Sequence, residues 1–210
     1  MKLYYTVNSP YARKVRIAAI EKEIYQDIEM IEANIGFEEG TLKTKKSDIT
    51  DHNPSGRVPT LITKEGHAIF DSTVIIHYLD GLGNNTQIIP SNYKEKIYAL
   101  RINALVDEAI DAMRLLKFEG MRPENIRLPD WINALNLKIN RALLLLDNYI
   151  EFYEESAKNT IDIGLISAGC LMYIVSNNRK ASWNCKHPNL DVWFEKFSKR
   201  NSMLLTDPSS

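Results

Sequence analysis

Two short stretches of this chain put donors and acceptors where an extended, anionic small molecule would need them. In Asn53-Pro54-Ser55-Gly56-Arg57-Val58-Pro59-Thr60-Leu61-Ile62, two prolines bracket a glycine turn that runs into a β-branched strand. The proline after Val58 holds that residue extended, and a proline at the mouth of a strand is the usual setting for a cis bond. A cis Val58-Pro59 bond would direct the Val58 amide and carbonyl away from the sheet, where they can pair with an extended ligand as a strand would. Farther on, Phe70-Asp71-Ser72 sets an acid and a hydroxyl before the apolar run Thr73-Val74-Ile75-Ile76-His77-Tyr78-Leu79. A helix beginning there offers free N–H groups and positive dipole character to an anion. Taken alone, Asp71 and Ser72 are better explained as caps.

A third position is Asn8-Ser9-Pro10, just ahead of apolar residues at Ala12, Val15 and Ala19. Ser followed by Pro is an N-cap with proline at the first helical position. The same hydroxyl lies at a helix mouth, where a bound thiolate gains more than a thiol from a donor and a dipole. A dithiol enzyme would need cysteines in place of Ser9 and Ala12, so disulfide exchange is excluded. Cys170 and Cys185 form no C-x-x-C pair and have no nearby histidine pair, and His52, His67, His77 and His187 lack metal-ligand spacing. No metal is expected, and the cysteines read as a buried thiol and a loop thiol.

The elements that must carry these residues follow from periodicity. Leu3 to Val7 and Asp27 to Ile31 read as strands, Pro10 to Glu23 as a helix, and Glu38 to Lys46 as a short helix. Thr60-Leu61-Ile62-Thr63 and His67-Ala68-Ile69-Phe70 flank Lys64-Glu65-Gly66 as a hairpin, and a helix follows from Ser72 to Leu82. The order βαβαββα is that of a thioredoxin-like domain over residues 1–80. Gly81-Leu82-Gly83-Asn84-Asn85 breaks the pattern, so 81–91 is the linker. From 92 to 210 the period is helical. Helices are expected over Lys94–Glu119, Asp162–Ser176 and Leu190–Arg200, with an apolar stripe from Ile132 to Tyr153, and Asn159 in the cap position of the Asp162–Ser176 helix. The fold class is therefore α/β plus all-α, a thioredoxin-like domain followed by a helical bundle.

Composition agrees with a globular protein of 210 residues, 44% apolar and 25% charged. A net charge of −1 with scattered basic residues gives no reason to expect nucleic acid or anionic lipid. The opening apolar run is too short for a signal peptide and no stretch approaches a membrane span, which leads us to expect a cytoplasmic protein.

Val58-Pro59 and Asp71-Ser72 are joined by Ser9-Pro10-Tyr11-Ala12-Arg13-Lys14-Val15-Arg16 near the start and by His187-Pro188-Asn189-Leu190, Trp193 and Thr206-Asp207-Pro208 near the end. Together they resemble the glutathione S-transferase family across essentially the whole chain, most closely its bacterial serine-type branch with a Ser-Pro-Tyr/Phe-x-Arg-Lys signature. The resemblance implies glutathione as co-substrate, a small electrophile as second substrate and a homodimer. It implies Ser9 as the catalytic donor to the glutathione sulfur. Ser72 and its N–H would meet the γ-glutamyl carboxylate and Asp71 the γ-glutamyl ammonium. Val58 would pair through its main chain with the cysteinyl backbone, and Arg57 would reach the glycyl carboxylate, though a solvated turn residue explains Arg57 equally. Tyr4, Tyr5 and Asn8 are rival neighbours of the thiol. For the electrophile, the resemblance points to the helix carrying Asp107, Asp111 and Arg114, with Met113, Leu116, Phe118 and Trp183 as an apolar wall; a solvated face and core packing explain these residues equally. Two alternatives stand beside conjugation. A glutathione-dependent isomerase would carry a cysteine that Asn8-Ser9-Pro10 lacks, and a non-catalytic binding or regulatory protein of the same fold would not need these residues together.

Overall fold

The computed structural model describes residues 1–33, 35–38, 41–44, 49–155, 160–178 and 187–209. Asn159, Trp183 and Cys185 lie outside them. The chain divides into two compact units, Met1–Ser91 with Asn201–Ser210, and Asn92–Arg200.

The first unit is built on a four-stranded sheet in the order β2-β1-β5-β6. β1 (Lys2–Tyr5) pairs in parallel with β2 (Glu29–Glu32), and α1 (Pro10–Glu21) makes the crossover between them. β1 then pairs antiparallel with β5 (Thr60–Ile62), which pairs antiparallel with β6 (Ala68–Ile69). Leu3 and Leu61 sit at the centre of the sheet, fully buried and directly opposed. Each such side chain contributes about 1.5 to 3 kcal/mol by leaving water. α1 and α3 (Ser72–Asp80) pack on each other, and Ala12, Val15 and Ala19 of α1 and Ile75, Ile76 and Leu79 of α3 are buried. This is the expected thioredoxin-like arrangement, with one correction. Where a short helix was expected over Glu38–Lys46, β3 (Ile35–Glu38) and β4 (Thr41–Thr44) pair as antiparallel strands, and the short α2 (Ile49–His52) comes later in the chain. Cross-strand pairing overrides the helix propensity of the glutamates and lysines.

The last residues also differ from expectation, because they complete the first unit and not the helical one. The short α8 (Asn201–Leu204) lies on α1. Arg13 Nε donates to Thr206 Oγ1 at 3.2 Å and its Nη2 to the Met203 carbonyl at 3.0 Å. At the other end of α1, Ser202 Oγ donates to Glu21 Oε1 at 2.6 Å. The basic residues of the Ser9–Arg16 stretch thus turn inward: Arg13 and Lys14 are buried.

In the second unit, α4 (Tyr93–Gly120), α5 (Pro129–Glu155), α6 (Ile163–Asn177) and α7 (Pro188–Phe197) form a bundle. α6 is buried along nearly its whole length and packs on α4, where Ser167 Oγ donates to Asn103 Oδ1 at 2.7 Å. Cys170 is one of its buried residues. Its cap is Asp162, whose Oδ1 accepts from the Leu165 N–H at 2.9 Å, while Asn159 lies outside the described residues. Several polar residues near a helix start can cap it, and here burial of Ile161 and Ile163 on either side fixes the start at Asp162. Burial pushes the Asp162 carboxyl up from its ordinary value, against the N–H bonds that would lower it. Asp147 on α5 caps α7 from outside, its Oδ1 accepting from Leu190 N–H at 2.9 Å.

Candidate functional site

Strand register brings three connections to one edge of the sheet. β1 leaves the sheet at Tyr5, and its neighbour Tyr4 is paired with Thr60, where β5 enters. Ile69, where β6 leaves, is paired with Leu61. The segments Thr6–Ser9, Val58–Pro59 and Phe70–Ser72 therefore emerge side by side. With strands about 4.8 Å apart, the outer two connections are separated by roughly 10 Å, which suits a tripeptide-sized ligand. α1 and α3 both begin at this edge, so two helix N-termini with their positive dipole ends converge there.

Ser9 is the N-cap of α1, with extended backbone angles, and its Oγ accepts from the Ala12 N–H at 3.2 Å. Accepting uses a lone pair and leaves the hydroxyl hydrogen for another partner. Capping and donation to a ligand are thus compatible in one side chain, which is half-buried at the edge. The rivals are placed differently. Tyr4 is buried with its ring 5.7 Å from that of His52, and the Tyr5 ring carries the Arg16 guanidinium at 5.1 Å. Asn8 is exposed beside Ser9.

The Val58–Pro59 bond is cis, as the sequence led us to expect, and so is Phe70–Asp71. β5 begins at Thr60, so Val58 stands outside the ladder with its main chain uncommitted to the sheet. Its side chain is half-buried and Arg57 is exposed. The turn leading to it is fixed by Asn53, to which sequence reasoning gave no role. Asn53 Nδ2 donates to the Arg57 carbonyl at 3.1 Å and to Thr60 Oγ1 at 2.9 Å. Its Oδ1 accepts from Ser55 N–H at 3.0 Å and Ser55 Oγ at 2.7 Å. Gly56, at φ +58, supplies the left-handed step. The signal was present, since Asn two residues before Ser is the pattern of an Asx turn.

Asp71 is the N-cap of α3, and its Oδ1 accepts from Thr73 N–H at 2.9 Å and Val74 N–H at 3.3 Å. Both bonds fall on one oxygen of an exposed carboxylate, so the second oxygen takes no part in capping. Ser72 is the first residue of the helix and is buried, with its N–H among those that a first turn leaves without a helical partner. The structure thus brings Ser9, Val58, Asp71 and Ser72 to one edge, with Arg57 on the turn beside them.

The residues expected for an electrophile lie in the second unit. On α4, Asp107 Oδ2 accepts from Asn103 Nδ2 at 3.3 Å, and Asp111 pairs with Arg114 at 3.2 Å. Met113 and Leu116 are half-buried and Phe118 is exposed. Among the described residues, no group of three or more His, Cys, Asp or Glu is gathered to hold a metal, and no helix is long and apolar enough to cross a membrane.

Comparison with known proteins gives the edge a context. A family profile described as glutathione S-transferase, N-terminal domain, matches residues 8–82. The chain is 28% identical over 211 aligned positions to the uncharacterized GST-like protein YibF of Escherichia coli (strain K12), covering 99% of this chain and 98% of that one. A glutathione S-transferase of Methylobacillus flagellatus KT, solved with glutathione bound, matches with a TM-score of 0.85 at 32% identity, over 99% of this chain and 98% of the other. A glutathione transferase family member from Pseudomonas fluorescens Pf-5, also with bound glutathione, matches with a TM-score of 0.86 at 28% identity over 99% and 98%.

Proposed function

The chain belongs to the glutathione S-transferase family, and we propose that it binds glutathione at the edge formed by Ser9, Val58, Asp71 and Ser72, keeps its sulfur as thiolate, and conjugates it to a small electrophile. The observation that carries this reading is the convergence of two helix N-termini and the free Val58 main chain on one sheet edge. Glutathione has an anionic γ-glutamyl end next to an ammonium and an extended peptide behind it. Ser72 and its N–H match the carboxylate, Asp71 the ammonium and Val58 the cysteinyl backbone; Arg57, exposed on the turn, is within the segment that would face the glycyl carboxylate.

An ordinary thiol, with a pKa of about 8.5, is only a few per cent thiolate at neutral pH. A Ser9 hydroxyl donating to the sulfur stabilises S⁻ over SH, and the α1 dipole adds to it. The thiol proton leaves to solvent, and the sulfur lone pair then forms a C–S bond to the electrophilic carbon. Addition or loss of a leaving group completes the step, with no covalent enzyme intermediate. The same reading includes a homodimer in the cytoplasm, for which the exposed Tyr93 and Ile97 of α4 and Leu137 and Leu144 of α5 offer apolar surface.

Calorimetric titration with glutathione tests the reading first: saturable binding is expected, and its absence sinks it. Ser72→Ala should weaken binding by roughly 1 to 3 kcal/mol, the worth of a hydrogen bond to a charged group. Thiolate absorbance of bound glutathione then separates the enzyme from the alternatives. Binding with an unshifted thiol and no conjugate formed would leave a non-catalytic glutathione-binding protein.

A further inference from the structure

The peptide plane that carries the Val58 N–H also carries the Arg57 carbonyl. Among the described residues the cis bonds are Val58–Pro59 and Phe70–Asp71, so the Arg57–Val58 bond is trans. In a trans peptide the C=O and N–H point in opposite directions across one rigid plane. The Arg57 oxygen is held from two sides, by Thr60 Oγ1 at 2.9 Å and Asn53 Nδ2 at 3.1 Å. Both holders are interior side chains, Thr60 at 0% and Asn53 at 1% exposure.

Their hydrogen bonds close on themselves. The Thr60 hydroxyl donates to the Arg57 oxygen while accepting from Asn53 at 2.9 Å, and the Asn53 oxygen is taken by the two Ser55 donors. The Ser55 N–H can meet only the Asn53 oxygen, which fixes which end of the amide faces Arg57. Burying an amide and a hydroxyl is costly unless their bonds are met. Here the same bonds that satisfy them pull one carbonyl inward, and the geometry of the peptide then turns the Val58 N–H outward.

We propose that Asn53 and Thr60 are positioning residues that aim the Val58 N–H at the cysteinyl carbonyl of the bound tripeptide. The proposal rests on the glutathione reading above and adds to it two residues that never touch the ligand. They act through the plane of one peptide bond, so their contribution belongs to one contact and not to the γ-glutamyl end.

The test is a cycle between protein and ligand, read by calorimetry. The ligands are glutathione and its analogue with an alkene in place of the cysteinyl–glycine amide, which keeps the shape and removes the acceptor oxygen. Thr60→Val keeps the side-chain shape without the hydroxyl. It should weaken glutathione roughly 3- to 10-fold, the range for one neutral hydrogen bond, and leave the affinity for the analogue as in wild type. Thr60→Ser should restore glutathione affinity. Circular dichroism checks the fold, and Asn53→Asp, which faces the Arg57 carbonyl with an acceptor, supplies the same cycle should Thr60→Val not fold. Unchanged glutathione affinity in these variants, or equal loss for both ligands, overturns the proposal. Wild type binding neither ligand overturns instead the glutathione reading on which it rests.

Discussion

At the C-terminal ends of α1 and α3, the Lys22 ammonium, 3% exposed, donates to the carbonyls of Asp80, Asn84 and Thr86 at 2.9, 2.8 and 2.7 Å. The Asp80 carboxylate lies 3.7 Å from it and accepts from the N–H groups of Ile88 and Ile89 at 2.7 and 3.2 Å. At the N-terminal ends of the same two helices, Asp71 is exposed with both its N–H bonds on one oxygen, and the Ser9 hydroxyl keeps its hydrogen. The sealed end spends all three ammonium donors within the chain. The open end caps its helices with half the capacity of its polar groups. Polar residues of similar type therefore serve structure at one end and recognition at the other, and the difference lies in how many of their bonds the chain itself completes.

The sealed end is the one whose breakage should cost most in folding. Lys22→Met leaves three carbonyls and a carboxylate without their cation, and urea denaturation should show a loss of about 3 to 5 kcal/mol, with glutathione affinity of the folded protein unchanged. Gly83→Ala attacks the same end from its backbone, since Gly83 has φ +72 and an added Cβ would fall 2.3 Å from the Lys22 carbonyl. A loss of about 2 kcal/mol is expected in the same measurement. At the open end the balance reverses. Ser9→Ala should cost only about 1 kcal/mol of stability as a lost cap, yet raise the pKa of the bound thiol by roughly one unit, worth 1.4 kcal/mol. A thiol pKa that does not move would leave Ser9 with capping alone.

The smallest effect is expected at Asp162, the buried cap of the second unit. Its carboxyl is raised above the unfolded value, so between the two values the folded state binds more protons than the unfolded state. Stability contributed by this group then rises as pH falls from above the folded value towards the ordinary carboxylate range. Asp162→Asn keeps a capping oxygen without the charge. The difference in stability between wild type and variant, followed by urea denaturation from neutral pH down to 4, should shrink across that window and stay flat above it.

Much of this is legible in the sequence. The strand and helix order of the first unit, the Val58–Pro59 isomer and the helix start at Asp71–Ser72 follow from short-range rules about proline, alternation and caps. What escaped depends on partners far along the chain or on competition between local choices. The pairing of β3 with β4 was hidden behind good helix formers. Asp162 lay close to Asn159, an equally good cap by type. Arg13 reads as a surface cation of a signature, and only the return of Met203 and Thr206 shows why it is buried. Asn53 was within reach of local rules, since all its side-chain partners lie within seven residues, but a turn asparagine is easily taken as mere punctuation.

The clasp between α1 and the segment around Met203 also sets an order of events during synthesis. The sheet and α1 leave the ribosome first, while the residues that cover Arg13 follow only after the whole of Asn92–Arg200 has been translated. Until then a nascent first unit carries the Arg13 guanidinium without the Thr206 and Met203 oxygens it donates to. The helical unit is in effect an insertion within the other, so the earliest part of the chain can finish folding only after the whole helical unit has been made.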